Sequence, residues 1–501
     1  MGYTKADGSP DLSLSSILLY FKTRVSTLFD IPAKKYEVSV WDKVNPIPGL
    51  KLMTASDWNY FGLGFFAWTI DSMDFFCVSA SASEIAATLG VSITDITWGV
   101  TLVLMLRSVG AFIFGLAADY YGRKWPYIFV AFLFLVIEIA TGFVRNYQEF
   151  LGVRALFGVA MGGMYGIAAA TALEDQPEEA RSILSGLFLP GYNLGYIFAV
   201  VFFRAFENTY KGTEGWRALF WFSSGLPLIL IVWRVFFPET NAFLKLKEKR
   251  RQEGSTVSKW KQFKTSVSAL FKTEWLMFIY LVLLMSGFNF MSHGVMDLYP
   301  TMLVQQHDVG PDRKTVIMVV VNIGAIIGGL FFGQLTEFLG RRLTVIICCI
   351  WSCAFLYPAF FVNDLNTLTA GFFFLLFATM GAWGVAPLHL LELVNDNQRV
   401  FLSGLVYQLG NLASSASSTI ESQLADLFPI TVNGVETYDY GRVMGIFSGA
   451  AYAYLAVVIF LGPERFHKDV NLNVGRSDDI EWDVECEKWS IEQKEVAEKS
   501  V

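Results

Sequence analysis

Ionisable and amide side chains inside long apolar runs are the residues here that could do chemistry. Asp71 and Asp74 stand three apart, so a helix would put both carboxylates on one face. Arg107 lies near the middle of a second run and Glu138 within a third. Asn289, His293 and Asp297 follow at spacings of four, with Ser292 beside them, and form one helical stripe. His389 lies in a later run, and Tyr407, Gln408 and Asn411 in the next. Charge in hydrocarbon is costly and marks ion or substrate pathways. Arginine is always ionised, and its planar fork matches a carboxylate, so Arg107 is a candidate anion clamp. A counter-charge for Asp71 or Asp74 is the other reading. A carboxyl group that loses its cationic partner takes up a proton more readily, and histidine titrates near neutrality. Asp71, Asp74, His293 and Asp297 are therefore proton-carrier candidates. The His293–Asp297 pair also reads as a substrate donor or as a polar tie between helices.

The elements that position these groups follow from composition. Of 501 residues, 54% are hydrophobic and 17% charged, against about 25% charged in soluble domains. A spanning helix needs about 20 apolar residues, and twelve such windows occur, at 58–80, 96–118, 125–145, 149–173, 182–206, 217–237, 275–299, 315–336, 343–362, 368–393, 401–423 and 441–462. The expectation is an all-α membrane protein of twelve transmembrane helices in two six-helix bundles. Its division is an N-terminal segment 1–57, a bundle 58–240, a central loop 241–273, a second bundle 274–463 and an acidic tail 464–501. No apolar leader precedes the first span, which then serves as its own membrane signal. Basic residues in the central loop (Lys245, Lys247, Lys249, Arg250, Arg251, Lys259, Lys261, Lys264) place it in the cytoplasm, with both termini on the same side. The net charge of -7 comes largely from the tail, where 11 acidic and 6 basic residues follow from Glu464 onward.

The halves repeat. Gly115-Leu-Ala-Ala-Asp119-Tyr-Tyr-Gly122-Arg123-Lys124 recurs as Gly333-Gln-Leu-Thr-Glu337-Phe-Leu-Gly340-Arg341-Arg342, a shift of 218 positions (115 to 333). The same shift pairs Glu174 with Glu392, Arg181 with Arg399, Ser185-Gly186 with Ser403-Gly404, and Asn193 with Asn411. It maps Asp71 onto Asn289, Asp74 onto Ser292, and Arg107 onto Ala325, so the cation has no twin. Two related six-helix halves with a midplane site are a transporter architecture. Conformational gating falls to Gly115, Asp119, Gly122, Arg123, Gly333, Glu337, Gly340 and Arg341, together with Arg154, which opens an Arg154-x-x-x-Gly158-x-x-x-Gly162 run of small residues suited to close helix packing. Both motifs resemble signatures of the major facilitator superfamily.

Residues 289–301, Asn289-Phe-Met-Ser292-His293-Gly-Val295-Met296-Asp297-Leu-Tyr-Pro300-Thr301, resemble the seventh-helix signature of the fungal Jen-type carboxylate/proton symporters, Asn-x-x-Ser/Thr-His-x-Ser/Thr-Gln-Asp-x-x-x-Thr. Asp71-Ser-Met-Asp74 and Leu106-Arg107-Ser108 are similar to that family's first and second helices, and the likeness covers all twelve spans. Val295 and Met296 depart from the pattern, where the family has a hydroxyl residue and a glutamine. The resemblance implies proton-coupled uptake of lactate, pyruvate or acetate, with Asn289, Ser292, His293, Asp297 and Thr301 tied to substrate binding and coupling and a proton as the coupling ion. Arg107, Tyr407, Gln408 and Asn411 join Asn289, Ser292 and His293 as substrate contacts on the reading of the spans themselves. A dicarboxylate or sugar-acid carrier is the rival within transport, and a carboxylate sensor signalling through the tail is the rival outside it. The expected partners are a small carboxylate, a proton and the bilayer, in the plasma membrane. No catalytic residue, enzyme motif, metal ligand set or cofactor is expected, and no basic stripe suggests nucleic acid. Cys77, Cys348, Cys349, Cys353 and Cys486 read as small packing residues. The tail lysines Lys468, Lys488, Lys494 and Lys499 are candidate sites for the ubiquitin machinery.

Overall fold

The computed structural model describes residues 13–29, 45–91, 93–206, 209, 214–252, 275–394, 399–425, 427–432 and 434–464. Lys259, Lys261 and Lys264 of the central loop, the four tail lysines and Cys486 lie outside the described residues. Apolar runs of this length can satisfy their backbone in a bilayer only by coiling, and the described chain is helical almost throughout. A short helical preface, α1 (Leu14–Leu28) and α2 (Ile47–Leu52), precedes the first long helix. The first half then comprises α3 (Ala55–Ala80), α4 (Ala82–Leu89), α5 (Ile93–Tyr121), α6 (Lys124–Gly142), α7 (Tyr147–Leu173), α8 (Glu178–Phe188), α9 (Gly191–Phe206) and α10 (Gly215–Phe236). After α11 (Asn241–Gln252), the second half comprises α12 (Trp275–Met296), α13 (Tyr299–Gln305), α14 (Pro311–Leu339), α15 (Arg341–Phe360), α16 (Leu365–Leu393), α17 (Arg399–Ser414), α18 (Ser417–Ala425) and α19 (Tyr440–Leu461).

Among the described residues, eleven stretches are long and apolar enough to cross a membrane, with α8–α9 and α12–α13 each counted as one. The span expected at 401–423 is instead the broken pair α17 and α18. Its physical reason is local: Ser414, Ser415 and Ser417 each donate their hydroxyl to the carbonyl three residues back, competing with the helical ladder. The fifth span, expected as one helix at 182–206, starts earlier and breaks beside Pro190, which has no N–H for the ladder. Between α18 and α19 lies an antiparallel hairpin, β1 (Pro429–Val432) with β2 (Val435–Tyr438), turned by Gly434 at φ 82°.

Two features bear on the site. Thr54 and Asp57 close a reciprocal cap on α3, so the helix carrying Asp71 and Asp74 has a fixed start. Gly158 and Gly162 of α7 press against Val103 and Arg107 of α5, and a Cβ at Gly162 would fall 1.9 Å from the Arg107 carbonyl oxygen. The halves meet where α5 packs on α17, and α8 on α14 and α16. The N-terminal α1 crosses over to the second half: Tyr20 donates to Leu461 O (2.6 Å) and Arg24 to Gly462 O (2.9 Å).

Candidate functional site

Arg107 is the centre of the polar interior. It is 1% exposed, and its fork lies against neutral partners: Nε sits 3.1 Å from the Met161 sulfur, and the guanidinium lies 4.9 Å from the Phe75 ring centroid. A thioether is a weak acceptor. Arg107 forms no ion pair within 4.0 Å among the described residues, so the counter-charge reading lacks a contact. Its charge nevertheless acts on Asp71 and Tyr192 of its own half and on His293 and Tyr407 of the other. An anion placed between the halves at Arg107 would be reached from both.

The second half supplies the facing wall. On α12, His293 Nδ1 lies 3.1 Å from both oxygens of Asp297, and the pair is only partly buried. Asn289 is buried and donates to Met285 O (2.8 Å), leaving its amide oxygen for another partner. Ser292 bonds back to the Phe288 and Asn289 carbonyls. On α17, Asn411 donates to Gln408 Oε1 (3.2 Å), and Tyr407 stacks on Tyr165 of α7 with centroids 3.9 Å apart. Trp68 of α3 and Trp383 of α16 meet the same Tyr407 ring edge-on. The structure thus brings Arg107, Tyr407, His293 and Asp71 into one region. Val295 is fully buried in the core, so the family hydroxyl missing there would face packing, whereas Met296 is half-buried.

Asp74 belongs to a neighbouring group. Glu138 of α6 and Arg154 of α7 approach to 3.8 Å, Ser223 of α10 donates to Glu138 (3.3 Å), and the charges of both act on Asp74. All three ionisable side chains are fully buried, and neither Asp71 nor Asp74 has a hydrogen-bond partner among the described residues. Arg154 was expected among the gating residues. Its motif glycines do pack helices, but the arginine sits in the first turns of α7, beside Gly99, remote from Asp119 and Arg123. His389 is likewise remote from the central site, with Arg341 and Arg342 as its charged neighbours.

The remaining gating candidates converge at one end of the molecule. Arg123 grips Glu174 with two bonds (3.1 and 2.9 Å) and lies 3.6 Å from Asp119, which accepts the backbone N–H of Phe401 (2.8 Å) in the other half. Burial works against the Arg123 charge, but Glu174 and Asp119 outweigh it and hold the guanidinium above its usual range. The repeat builds the mirror arrangement: Arg341 grips Glu392 (3.2 and 2.9 Å), and Glu337 accepts from Ser182 of the first half. Val400, whose N–H also reaches Asp119 (3.4 Å), and Ser182 are themselves 218 positions apart. Gly122 and Gly340 take φ of 102° and 83°, which glycine adopts without a Cβ clash. Gly115 and Gly333 let the halves touch: a Cβ at Gly115 would stand 3.0 Å from Phe401 Cα, and one at Gly333 2.5 Å from Gly186 Cα. Glu239 and Glu464 cap the starts of α6 and α15.

Sequence reading missed Tyr165, Tyr192 and Asn322, which accepts from Asn193 across the halves (2.8 Å). Asn322 carried a signal, as an amide inside an apolar run. The tyrosines carried none, because aromatics in a span are ordinary.

Residues 50–470 match the family described as sugar (and other) transporter. The chain is 45% identical over 479 residues to a carboxylic acid transporter protein homolog of Saccharomyces cerevisiae, spanning 93% of this chain and 77% of that protein. It is 26% identical to the sialic acid transporter NanX of Escherichia coli, over 74% of this chain and 88% of that one. Among solved structures it superposes on the proton:xylose symporter XylE bound to a bromodeoxyglucose with a TM-score of 0.63 at 15% identity, covering 82% of this chain and 96% of that one. The duplicated halves, the paired latches and these likenesses agree: the chain belongs to the sugar (and other) transporter family of the major facilitator superfamily, and is a multi-pass membrane transporter and not an enzyme.

Proposed function

We propose that this transporter carries short monocarboxylates such as lactate, pyruvate or acetate together with a proton across the plasma membrane. Its basic loop and both termini would face the cytoplasm. The observation that carries the reading is Arg107, a buried fork held by neutral partners and felt by residues of both halves. A carboxylate binding there gains two charge-assisted bonds, while Asn289, Ser292, His293, Tyr407, Gln408 and Asn411 offer the polar surroundings. Coupling follows from competition. When the substrate anion neutralises Arg107, the field of that cation on Asp71 is cancelled and Asp71 holds a proton more readily. Asp74, beside Glu138 and Arg154, and the Asp297–His293 pair are the further carriers. The name of the yeast relative supports a carboxylic acid as cargo.

Arg107 offers one fork at the meeting of the halves, which favours one carboxylate over two and sets a dicarboxylate or sugar-acid carrier as the second reading. Uptake of labelled lactate by purified protein in liposomes, challenged with excess acetate or succinate, separates them. Acetate is expected to compete and succinate to compete weakly. Strong competition by succinate with none by acetate would reverse the assignment. Removing residues 465–501 should leave this uptake intact. Loss of a signal with uptake absent throughout would instead favour the sensor.

A further inference from the structure

Glu421 is the buried carboxyl that neither the repeat nor the polar stripes explain. It lies on α18, directly after the serine break that ends α17, and is fully buried. Neither oxygen has a hydrogen-bond partner among the described residues. The charged group that acts on it is Asp297 of α12, itself held by His293 at 3.1 Å. The C-terminal helix α19 also packs against α18 and presents no neutralising charge: Arg442 is exposed and stacks on the Phe428 ring at 4.4 Å, and Asp439 is occupied with Gln306 (3.2 Å) and the Arg442 N–H. The duplicated position in the first half is Phe203, so this acid has no structural twin.

A buried carboxylate with a like charge nearby and no cation is strongly disfavoured as an anion. Asp297, by contrast, has a histidine partner and partial access to solvent. We infer that Glu421 is a proton-binding residue of this transporter, sharing the coupled proton with the Asp297–His293 pair. The unpartnered, buried Glu421 carboxyl is where the proton is held. As the halves re-pack, the proton passes from Glu421 to the Asp297–His293 pair, the O–H bond at Glu421 breaking as a bond to the pair forms. Glu421 thus gives the second half its own proton store, set apart from the acids of the first half near Arg107.

The inference rests on the symport reading, and the test separates the two. Purified wild type and Glu421→Gln are compared in liposomes for labelled lactate accumulation under an inward proton gradient and for lactate counterflow without one. A one-unit gradient supports about tenfold accumulation for one proton per substrate. Wild type should approach this, while Glu421→Gln keeps counterflow and falls to parity. Wild type that ignores the gradient overturns symport, and this inference with it. Glu421→Gln that accumulates like wild type overturns the Glu421 assignment alone. Should Glu421→Gln lose counterflow too, Glu421→Asp and Glu421→Asn decide. Accumulation restored by Asp and not by Asn supports the assignment, and restoration by both or by neither overturns it in favour of packing.

Discussion

At the scale of single residues, the account turns on what Arg107 touches. Its donors face a thioether and an aromatic ring, both poor substitutes for a carboxylate. Hydrogen bonds to a charged group are worth roughly 1.5–3 kcal/mol. Arg107→Ala removes two such bonds and should therefore weaken lactate binding by about 100-fold or more and abolish uptake while leaving the amount of protein in the membrane unchanged. Arg107→Lys keeps the charge and loses the fork, and should fall between the two. Isothermal titration and uptake assays on the same preparations check this, and near-normal binding by Arg107→Ala would remove the clamp. Much of this residue set was legible in the sequence because charge is rare in apolar runs, which makes each exception visible. Glu138 and Arg154 were legible as residues and illegible as partners. Their spacing lies between helices, and no periodicity within one helix reports it.

At the scale of elements, the glycines of α7 set where Arg107 stands. A Cβ at Gly162 would fall 1.9 Å from the Arg107 carbonyl oxygen, whereas one at Gly152 on the same helix meets nothing within 4 Å. Overpacking of this kind costs about 1–3 kcal/mol. Gly162→Ala should lower the melting temperature in detergent and cut uptake, because α5 must shift with its arginine. Gly152→Ala should be neutral or mildly stabilising, since alanine favours a helix by roughly 0.5–1 kcal/mol over glycine. Thermal unfolding of the two variants side by side checks the pair. The small-residue spacing announced this contact, but the breaks in the fifth, seventh and eleventh spans were hidden. A hydropathy window sums composition over a membrane's thickness and is blind to a serine or proline that diverts individual backbone bonds. The hairpin had a local signal in Asn433-Gly434, within a loop that the window skips.

At the scale of the whole molecule, the 218-position repeat becomes a pair of mirrored latches. Asp119 reaches the start of α17 and Glu337 reaches Ser182, so each half holds the other at the end that carries Arg123 and Arg341. The form described is closed at that end, and transport by rocking requires both latches to release. Removing both acceptors with Asp119→Ala and Glu337→Ala should shift the population toward the form open at the basic end by about tenfold or more, at roughly 1.5–3 kcal/mol per charge-assisted bond. Spin-label distances across the basic ends of the two halves should lengthen in the double variant. An unchanged distribution would mean that the glycine contacts alone keep this end shut.

Alternating access around Arg107 with a proton as co-substrate is the central claim. It is tested most directly by initial uptake of labelled lactate into liposomes holding the purified wild-type protein, measured with and without an inward proton gradient. The account predicts accumulation above the external concentration under the gradient, collapse on adding a protonophore, and acidification of the lumen in step with lactate entry. Equal uptake with and without the gradient, or entry with no accompanying proton, would contradict it.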